Sequence, residues 1–188
     1  MGMTITSSSP LAVTVAVLAV VLRLRAAEAT IESTCAAATA VDRRVDARFC
    51  ARQFAGYHGA AEADPWGLAK TAALVGVSLC DDAVYDIGEG KIAGPPPPAG
   101  GARGKAAMRA CAQAYDAAGM AFAEASDELG ARRYAAARER FARVPGLARR
   151  CDGVLAVAGA RMPPALARYG ADCQQMAIIG IAITNLIK

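Results

Sequence analysis

The sequence predicts an all-α protein: an up-down-up-down four-helix bundle preceded by a short disulfide-linked α-hairpin. The chain is rich in alanine, contains only 5% aromatic residues, and has almost none of the alternating β-branched segments typical of strands. Apolar residues recur at steps of three and four over several long segments, which is the pattern of amphipathic helices. Cys111 and Cys151 lie at equal distances in sequence from Ala131, so a disulfide between them would join two antiparallel helices near their shared turn.

Residues 1–29 are predicted to be a signal peptide. An apolar run extends from Pro10 to Leu22, and Ala27-Glu28-Ala29 offers the small-x-small pattern of a cleavage site. The run is too short to span a bilayer, although the absence of Lys and Arg before it leaves an uncleaved anchor as the alternative. We expect a secreted domain, residues 30–188, without stable membrane association, in which residues 30–58 form the α-hairpin and residues 62–188 the bundle.

The predicted α-hairpin consists of two short helical pieces, Ile31 to Ala40 and Val45 to Phe54. Neither piece is long enough to be stable alone, so each needs packing or a cross-link. Cys35 and Cys50 flank the turn between them. A disulfide closing that loop would contribute about 3 kcal/mol of stability in the loop-entropy account.

Two long helices are predicted in the first half of the bundle. The first begins at Asp64-Pro65, an N-cap acid followed by proline at the first helical position, and runs to about Ile87, before Gly88. A proline- and glycine-rich connection follows and can carry the chain over the end of a bundle. The second helix, about 105–129, has a regular apolar stripe of Met108, Cys111, Tyr115, Ala118, Phe122, Ala125 and Leu129.

Two further helices complete the predicted bundle. The third spans about 132–158 and contains Pro145-Gly146, where proline should kink or locally break the helix because it lacks an N–H and crowds the preceding turn. The fourth begins at Pro163-Pro164 and continues to the C-terminus. Its last residues are apolar almost all round, so we expect it to be the most buried element.

All six cysteines fall after the predicted signal peptide, as expected of a disulfide-containing secreted chain. The Cys111–Cys151 bond would contribute about 4 kcal/mol by the same loop-entropy account. Cys80 and Cys173 would lie level on neighbouring antiparallel helices. They form either a third disulfide or two buried free thiols, and the sequence leaves both alternatives open.

The sequence gives no support for catalysis, and we predict that the chain is not an enzyme. The single histidine, His58, lies in a Gly-Tyr-His-Gly loop without an evident nucleophile as partner. The adjacent acids Asp81-Asp82 and Asp127-Glu128 point in different directions on a helix and are expected to be solvated. No CxxC pair, His cluster or HExxH motif occurs, so we predict neither a metal site nor a cofactor.

Several motifs together resemble the plant invertase and pectin methylesterase inhibitor family, and the resemblance covers nearly all of residues 30–188. The chain is similar in particular to the family's branch of invertase inhibitor-like proteins. The motifs are I-x-x-T-C at 31–35, V-D-x-x-F-C at 45–50, A-x-x-x-C-x-x-x-Y-D-x-A at 107–118, G-x-x-x-Y-A-x-A at 130–137 and A-I-x-x-x-A-I-T-N-L at 177–186. The family's fold is a secreted four-helix bundle with hairpin and bundle disulfides, which correspond here to Cys35–Cys50 and Cys111–Cys151.

The resemblance implies an apoplastic, monomeric inhibitor that blocks a cell-wall carbohydrate-active enzyme through a non-covalent 1:1 complex. Pectin methylesterase is marginally preferred as the target, and acid invertase is the alternative. Some invertase inhibitors carry a Pro-Lys-Phe motif between the second and third long helices, and the matching positions here are Arg132, Arg133 and Tyr134. A remote alternative is a bundle that binds an apolar small molecule in its core.

An excess of arginine marks the third helix and the turn before it. It either forms a hydrated face balanced by acids on the neighbouring helix or docks onto an acidic rim of the target enzyme. Nucleic acid is not an expected partner, because basic and aromatic residues are not interleaved. The arginines are Arg132, Arg133, Arg138, Arg140, Arg143, Arg149 and Arg150.

Overall fold

The computed structural model describes residues 31–92 and 101–187. The predicted signal peptide and nearly all of the proline-rich connection lie outside the described residues. Within those ranges the secondary structure is helical and contains no strand. The predicted all-α bundle with its disulfide-linked hairpin is therefore confirmed.

Six α-helices and one short 3-10 helix make up the described part of the chain. The hairpin consists of α1 (31–41) and α2 (Ala47–Ala55), and the 3-10 turn Ala60–Glu62 leads into the bundle. The bundle helices are α3 (Pro65–Gly88), α4 (Ala102–Gly130), α5 (Tyr134–Val157) and α6 (Pro164–Thr184). Each consecutive pair of these four packs together, and α6 also packs on α3, so the helices form a closed four-membered ring.

Side-chain caps set the start of two helices. Asp64 precedes α3, and its Oδ1 accepts a hydrogen bond from the Gly67 amide at 2.7 Å, which is the N-cap that Asp64-Pro65 predicts. Asp46 caps α2 by accepting from the amides of Arg48 and Phe49. The second helix of the hairpin therefore begins at Ala47 and not at Val45, because the capping residue itself lies outside the helix.

The hairpin is held both within itself and to the bundle. Cys35 and Cys50 are joined by a disulfide with Cα atoms 5.9 Å apart. The Gln175 side chain of α6 donates a hydrogen bond to the Arg44 carbonyl in the hairpin turn at 3.1 Å. Phe49 and Phe54 are buried in the same apolar core as the bundle helices. The two short helices are thus stabilised by packing as well as by the cross-link.

Two phenylalanines and two glycines lie at the centre of the bundle. The Phe122 ring of α4 lies directly over Gly76 of α3, where a Cβ atom would be 2.4 Å from the ring. The Phe141 ring of α5 lies over Gly180 of α6, where a Cβ would be 2.6 Å away. The two rings meet edge to face with centroids 6.0 Å apart, an arrangement favoured for aromatic pairs. We call these four residues the ring–glycine unit; it includes one residue from each bundle helix.

Helix α5 passes through Pro145 as one continuous element, Tyr134–Val157. Of the two outcomes predicted for Pro145-Gly146, a kink or a local break, the break is therefore wrong. Phe141, Val144 and Ala148 are all buried on the inner face, so packing on both sides of the proline keeps its flanks in helical register. Tertiary burial outweighs the hydrogen bond that the missing N–H would have made.

A second set of contacts closes the end of the bundle away from the α4–α5 turn. Tyr115 donates its hydroxyl to the Leu166 carbonyl at 2.8 Å, and Tyr169 of α6 donates to Asp86 of α3 at 2.7 Å. The hydrogen bond to Asp86 raises the pKa of Tyr169 to about 12. The same bond, with help from Lys91, lowers the pKa of Asp86. Both shifts favour the neutral phenol and the carboxylate, the states in which this bond exists.

We predict that alanine at Gly76 or Gly180 destabilises the fold by about 1–3 kcal/mol each, because the new methyl group must displace a buried ring. Gly153 of α5 provides the matched control, since nothing lies within 4 Å of its Cβ position. Gly153→Ala should stabilise the protein by about 0.4–1 kcal/mol through helix propensity and the unfolded state. Thermal and urea denaturation of the three variants measures whether each substitution lowers or raises the free energy of unfolding. Equal changes in all three variants would contradict the close approach of helix and ring.

Candidate functional site

The predicted contact residues lie in the turn between α4 and α5. The Arg133 amide donates to the Glu128 carbonyl at 2.8 Å, and the Arg132 amide donates to the Leu129 carbonyl at 3.0 Å. The first bond joins the sixth residue of the motif to the first, and the second bond joins the fifth residue to the second. This pair of hydrogen bonds defines a Schellman motif at the end of α4. The sequence predicts that the second bundle helix ends at about 129 and the third begins at about 132, whereas Gly130 is the last residue of α4 and α5 begins at Tyr134.

Arg132 occupies the left-handed position of this motif, with φ of 60°. It is the one non-glycine residue with positive φ among the described residues. Glycine usually fills this position, because a Cβ there costs about 1–2 kcal/mol. A backbone cost of this kind persists only where surrounding contacts hold it, and such positions are common at functional sites.

The contacts that hold Arg132 come from two aromatic side chains. Its guanidinium lies over the Trp66 ring, 5.0 Å from the ring centroid, and also donates a hydrogen bond to the Tyr134 hydroxyl at 3.2 Å. A cation over an aromatic face contributes about 0.5–1 kcal/mol at an exposed position. The two contacts therefore offset a substantial part of the backbone cost.

Trp66 belongs to the site, although no sequence motif points to it. Its indole N–H donates to the Leu129 carbonyl at 2.9 Å, a contact between residues 63 positions apart. Lys70 lies on the same ring, with its Nζ 5.4 Å from the centroid. One feature of the sequence could have pointed to Trp66: it is the only tryptophan of the chain and the second residue of a capped helix. No local pattern, however, indicates which distant turn it would reach.

Arg133 and Tyr134 are placed differently from one another. The Arg133 side chain is 62% exposed and forms an ion pair with Glu128. Tyr134 is half-buried and packs against the core. The structure therefore joins Tyr134 to Arg132 and directs Arg133 to the preceding helix.

The arginines of α5 are partly balanced by acids of α4. Glu124 forms ion pairs with Arg140 at 3.0 Å and with Arg143 at 3.6 Å. These pairs match the expected hydrated face, and exposed pairs of this kind contribute little stability. Arg149 and Arg150 are exposed further along α5, so the positive charge extends from the turn toward the other end of the bundle.

The remaining cysteines lie inside the bundle. Cys111 of α4 and Cys151 of α5 form a disulfide with Cα atoms 4.4 Å apart. Cys80 of α3 and Cys173 of α6 are both fully buried, and their sulfur atoms are 3.4 Å apart without a bond. The predicted level arrangement of this second pair is thus found in the structure.

Residues considered for other chemistry lie apart from the turn. His58 is exposed next to the short 3-10 helix, and Asp81, Asp82 and Asp127 are exposed. No metal-binding group of three or more His, Cys, Asp or Glu side chains forms within 31–92 and 101–187. None of the helices described is long and apolar enough to cross a membrane. A cavity of about 910 Å³ opens between α4 and α5, lined by alanines, valines, Gly153, Arg103 and Arg150.

Comparison with known proteins identifies inhibitors. The chain is 46% identical over 160 residues to pectinesterase inhibitor 8 of Oryza sativa subsp. japonica, covering 85% of this chain and 84% of that protein. It is 40% identical over 177 residues to pectinesterase inhibitor 12 of the same organism, covering 92% and 83%. A search against family models gave no match.

Solved structures confirm the fold at lower sequence identity. A mutant form of a pectin methylesterase inhibitor from Arabidopsis superposes with a TM-score of 0.62 at 17% identity, covering 80% of this chain and 95% of that one. A second crystal structure of a pectin methylesterase inhibitor, from Arabidopsis thaliana, gives a TM-score of 0.55 at the same identity, covering 81% and 95%.

We predict that Arg132→Gly is more stable than Arg132→Ala by about 1 kcal/mol. Both variants lose the stack on Trp66, but only alanine keeps the cost of the left-handed backbone. Chemical denaturation of the two variants and the wild type measures the difference. If alanine were as stable as glycine at this position, Arg132 would not hold a strained turn.

Proposed function

This chain belongs to the plant invertase and pectin methylesterase inhibitor family, and we propose that it is a secreted protein that inhibits pectin methylesterase. The inhibitor acts by forming a non-covalent 1:1 complex that covers the substrate cleft of the enzyme. Its place of action is the apoplast, reached after removal of residues 1–29. It acts as a monomer and uses neither a metal nor a cofactor.

The relationship to named inhibitors carries this proposal. Two proteins called pectinesterase inhibitors are 46% and 40% identical to the chain over most of its length. The longer of the two matches covers 92% of the chain. Proteins this similar are inhibitors and not enzymes, in agreement with the prediction that the chain is not an enzyme.

The geometry of the turn supports a role in binding a protein surface. Arg132 and Arg133 are exposed, and Trp66 and Tyr134 hold the backbone beneath them in one conformation. Arginine, tyrosine and tryptophan are the residue types most often found at binding hot spots. Because the turn is fixed by hydrogen bonds at both helix ends, little conformational entropy is lost when it docks.

The arginines of α5 extend this surface in the direction of the cavity between α4 and α5. A row of positive charge accelerates and orients association with an acidic surface more than it adds to final affinity. We therefore assign the orientation of the complex to Arg149 and Arg150, and its affinity to the turn.

Acid invertase remains the second candidate target, because the turn keeps a cation and an aromatic residue at Arg133 and Tyr134. These positions match the Pro-Lys-Phe motif found in some invertase inhibitors. Arg132 stands where that motif has proline, and its left-handed backbone is a conformation that proline cannot adopt. The turn therefore differs in backbone geometry from one built on that motif, which favours pectin methylesterase.

We expect the purified protein, residues 30–188, to inhibit pectin methylesterase at micromolar or lower concentration and mildly acidic pH. Titration of the enzyme with the inhibitor should reach an equivalence point at one inhibitor per enzyme. A parallel titration of acid invertase tests the alternative. Inhibition of invertase alone would replace the proposed target, and inhibition of neither enzyme would refute the proposed function.

We expect Arg133→Glu combined with Tyr134→Ala to weaken the complex by more than about 2 kcal/mol, roughly 30-fold in Kd, if the turn is a hot spot. Arg161→Glu is the matched control, because Arg161 is exposed in the connection between α5 and α6, at the opposite end of the bundle. Inhibition constants and melting temperatures of both variants separate loss of binding from loss of fold. Unchanged inhibition by the double variant would place the interface elsewhere.

A further inference from the structure

We propose that Cys80 and Cys173 form a third disulfide in the mature protein, which joins α3 to α6. The two sulfur atoms are already in contact at 3.4 Å, although the residues are 93 positions apart. Both side chains are fully buried, so solvent does not reach either thiol.

The surroundings of the pair permit the bond. A disulfide requires the sulfur atoms to approach to about 2.05 Å, and rotation about the Cα–Cβ bonds moves a sulfur atom over that range. Gly119 of α4 faces Cys80, and an added Cβ there would lie 3.3 Å from the Cys80 Cβ. Helix α4 therefore approaches Cys80 closely, and glycine at 119 keeps an additional side chain from pressing on Cys80 at this contact.

The helix pairs of the fold show what the bond would add. One disulfide joins α1 to α2 and another joins α4 to α5. The pair α3 and α6 packs together but has no covalent link in the structure. With a Cys80–Cys173 bond, each of the six helices is cross-linked to one neighbour, and the first and last bundle helices are joined.

The oxidation needs an acceptor of two electrons, which is a disulfide donor such as an oxidoreductase or oxidised glutathione. The two S–H bonds of Cys80 and Cys173 break and one S–S bond forms. The disulfide of the donor breaks and takes up the two electrons and two protons, giving two thiols. An oxidising compartment supplies such donors, so in the plant the step depends on the proposed export.

The timing of the step follows from the buried position of the pair. Contact with the Cys173 sulfur, together with burial, raises the pKa of Cys80. The reactive thiolate is therefore scarce once α6 has packed, and exchange takes place while the bundle is still open. For the same reason the completed bond should resist reduction in the folded protein.

The direct test is thiol counting on residues 30–188 refolded in a glutathione redox buffer, which makes it independent of export and of any target enzyme. The protein is unfolded in guanidinium without reductant, alkylated and analysed by intact mass and non-reducing peptide mapping. We expect no alkylated cysteine and a peptide that contains Cys80 linked to Cys173. Alkylation of both Cys80 and Cys173, with the other two disulfides intact, would overturn the proposal.

A stability cycle provides the second test. Cys80→Ala, Cys173→Ala and the double variant should each melt roughly 10 °C below the wild type, because all three lack the same long-loop cross-link. The double variant should be no less stable than the single variants. If each single variant lost only a little stability and the two losses added in the double variant, Cys80 and Cys173 would contribute packing alone and the proposed disulfide would be overturned. This conclusion would hold even if inhibition of pectin methylesterase were unaffected.

Discussion

The structure depends on the ring–glycine unit, in which Phe122 and Phe141 meet at the centre and each ring lies on a glycine of a neighbouring helix. Gly76 and Gly180 allow this approach because a Cβ at either position would overlap a ring. The two contacts and the edge-to-face pair connect all four bundle helices through one continuous set of atoms. In a close-packed interior this fixes how far each helix can slide along its neighbours.

The geometry of the candidate site follows from that fixed register. Gly76 on Phe122 sets α3 against α4, and this brings Trp66 level with the end of α4 so that its indole N–H reaches the Leu129 carbonyl. Phe122 against Phe141 sets α4 against α5, which places Tyr134 beside the left-handed Arg132. The turn is thus supported by the packing of α3 on α4 and by the packing of α4 on α5. A binding surface held in this way has little freedom to lose when a partner docks.

Most of the fold could be predicted from the sequence because its signals are local. The stripe from Met108 to Leu129 is buried as predicted, and Asp64 caps α3 as predicted. The errors arose where distant packing overrides a local preference. Pro145 did not break α5, because buried neighbours hold both flanks, and Arg132 adopts a conformation usually left to glycine because Trp66 and Tyr134 stabilise it. Trp66 was missed because its partner is 63 positions away.

The position of Trp66 has a practical consequence for the study of this protein. It is the only tryptophan in the chain, so indole fluorescence comes from one place, directly beneath Arg132. Any molecule that displaces the guanidinium or removes water around the ring will change the emission spectrum. The wild-type protein therefore carries its own optical reporter at the candidate site and needs no attached dye.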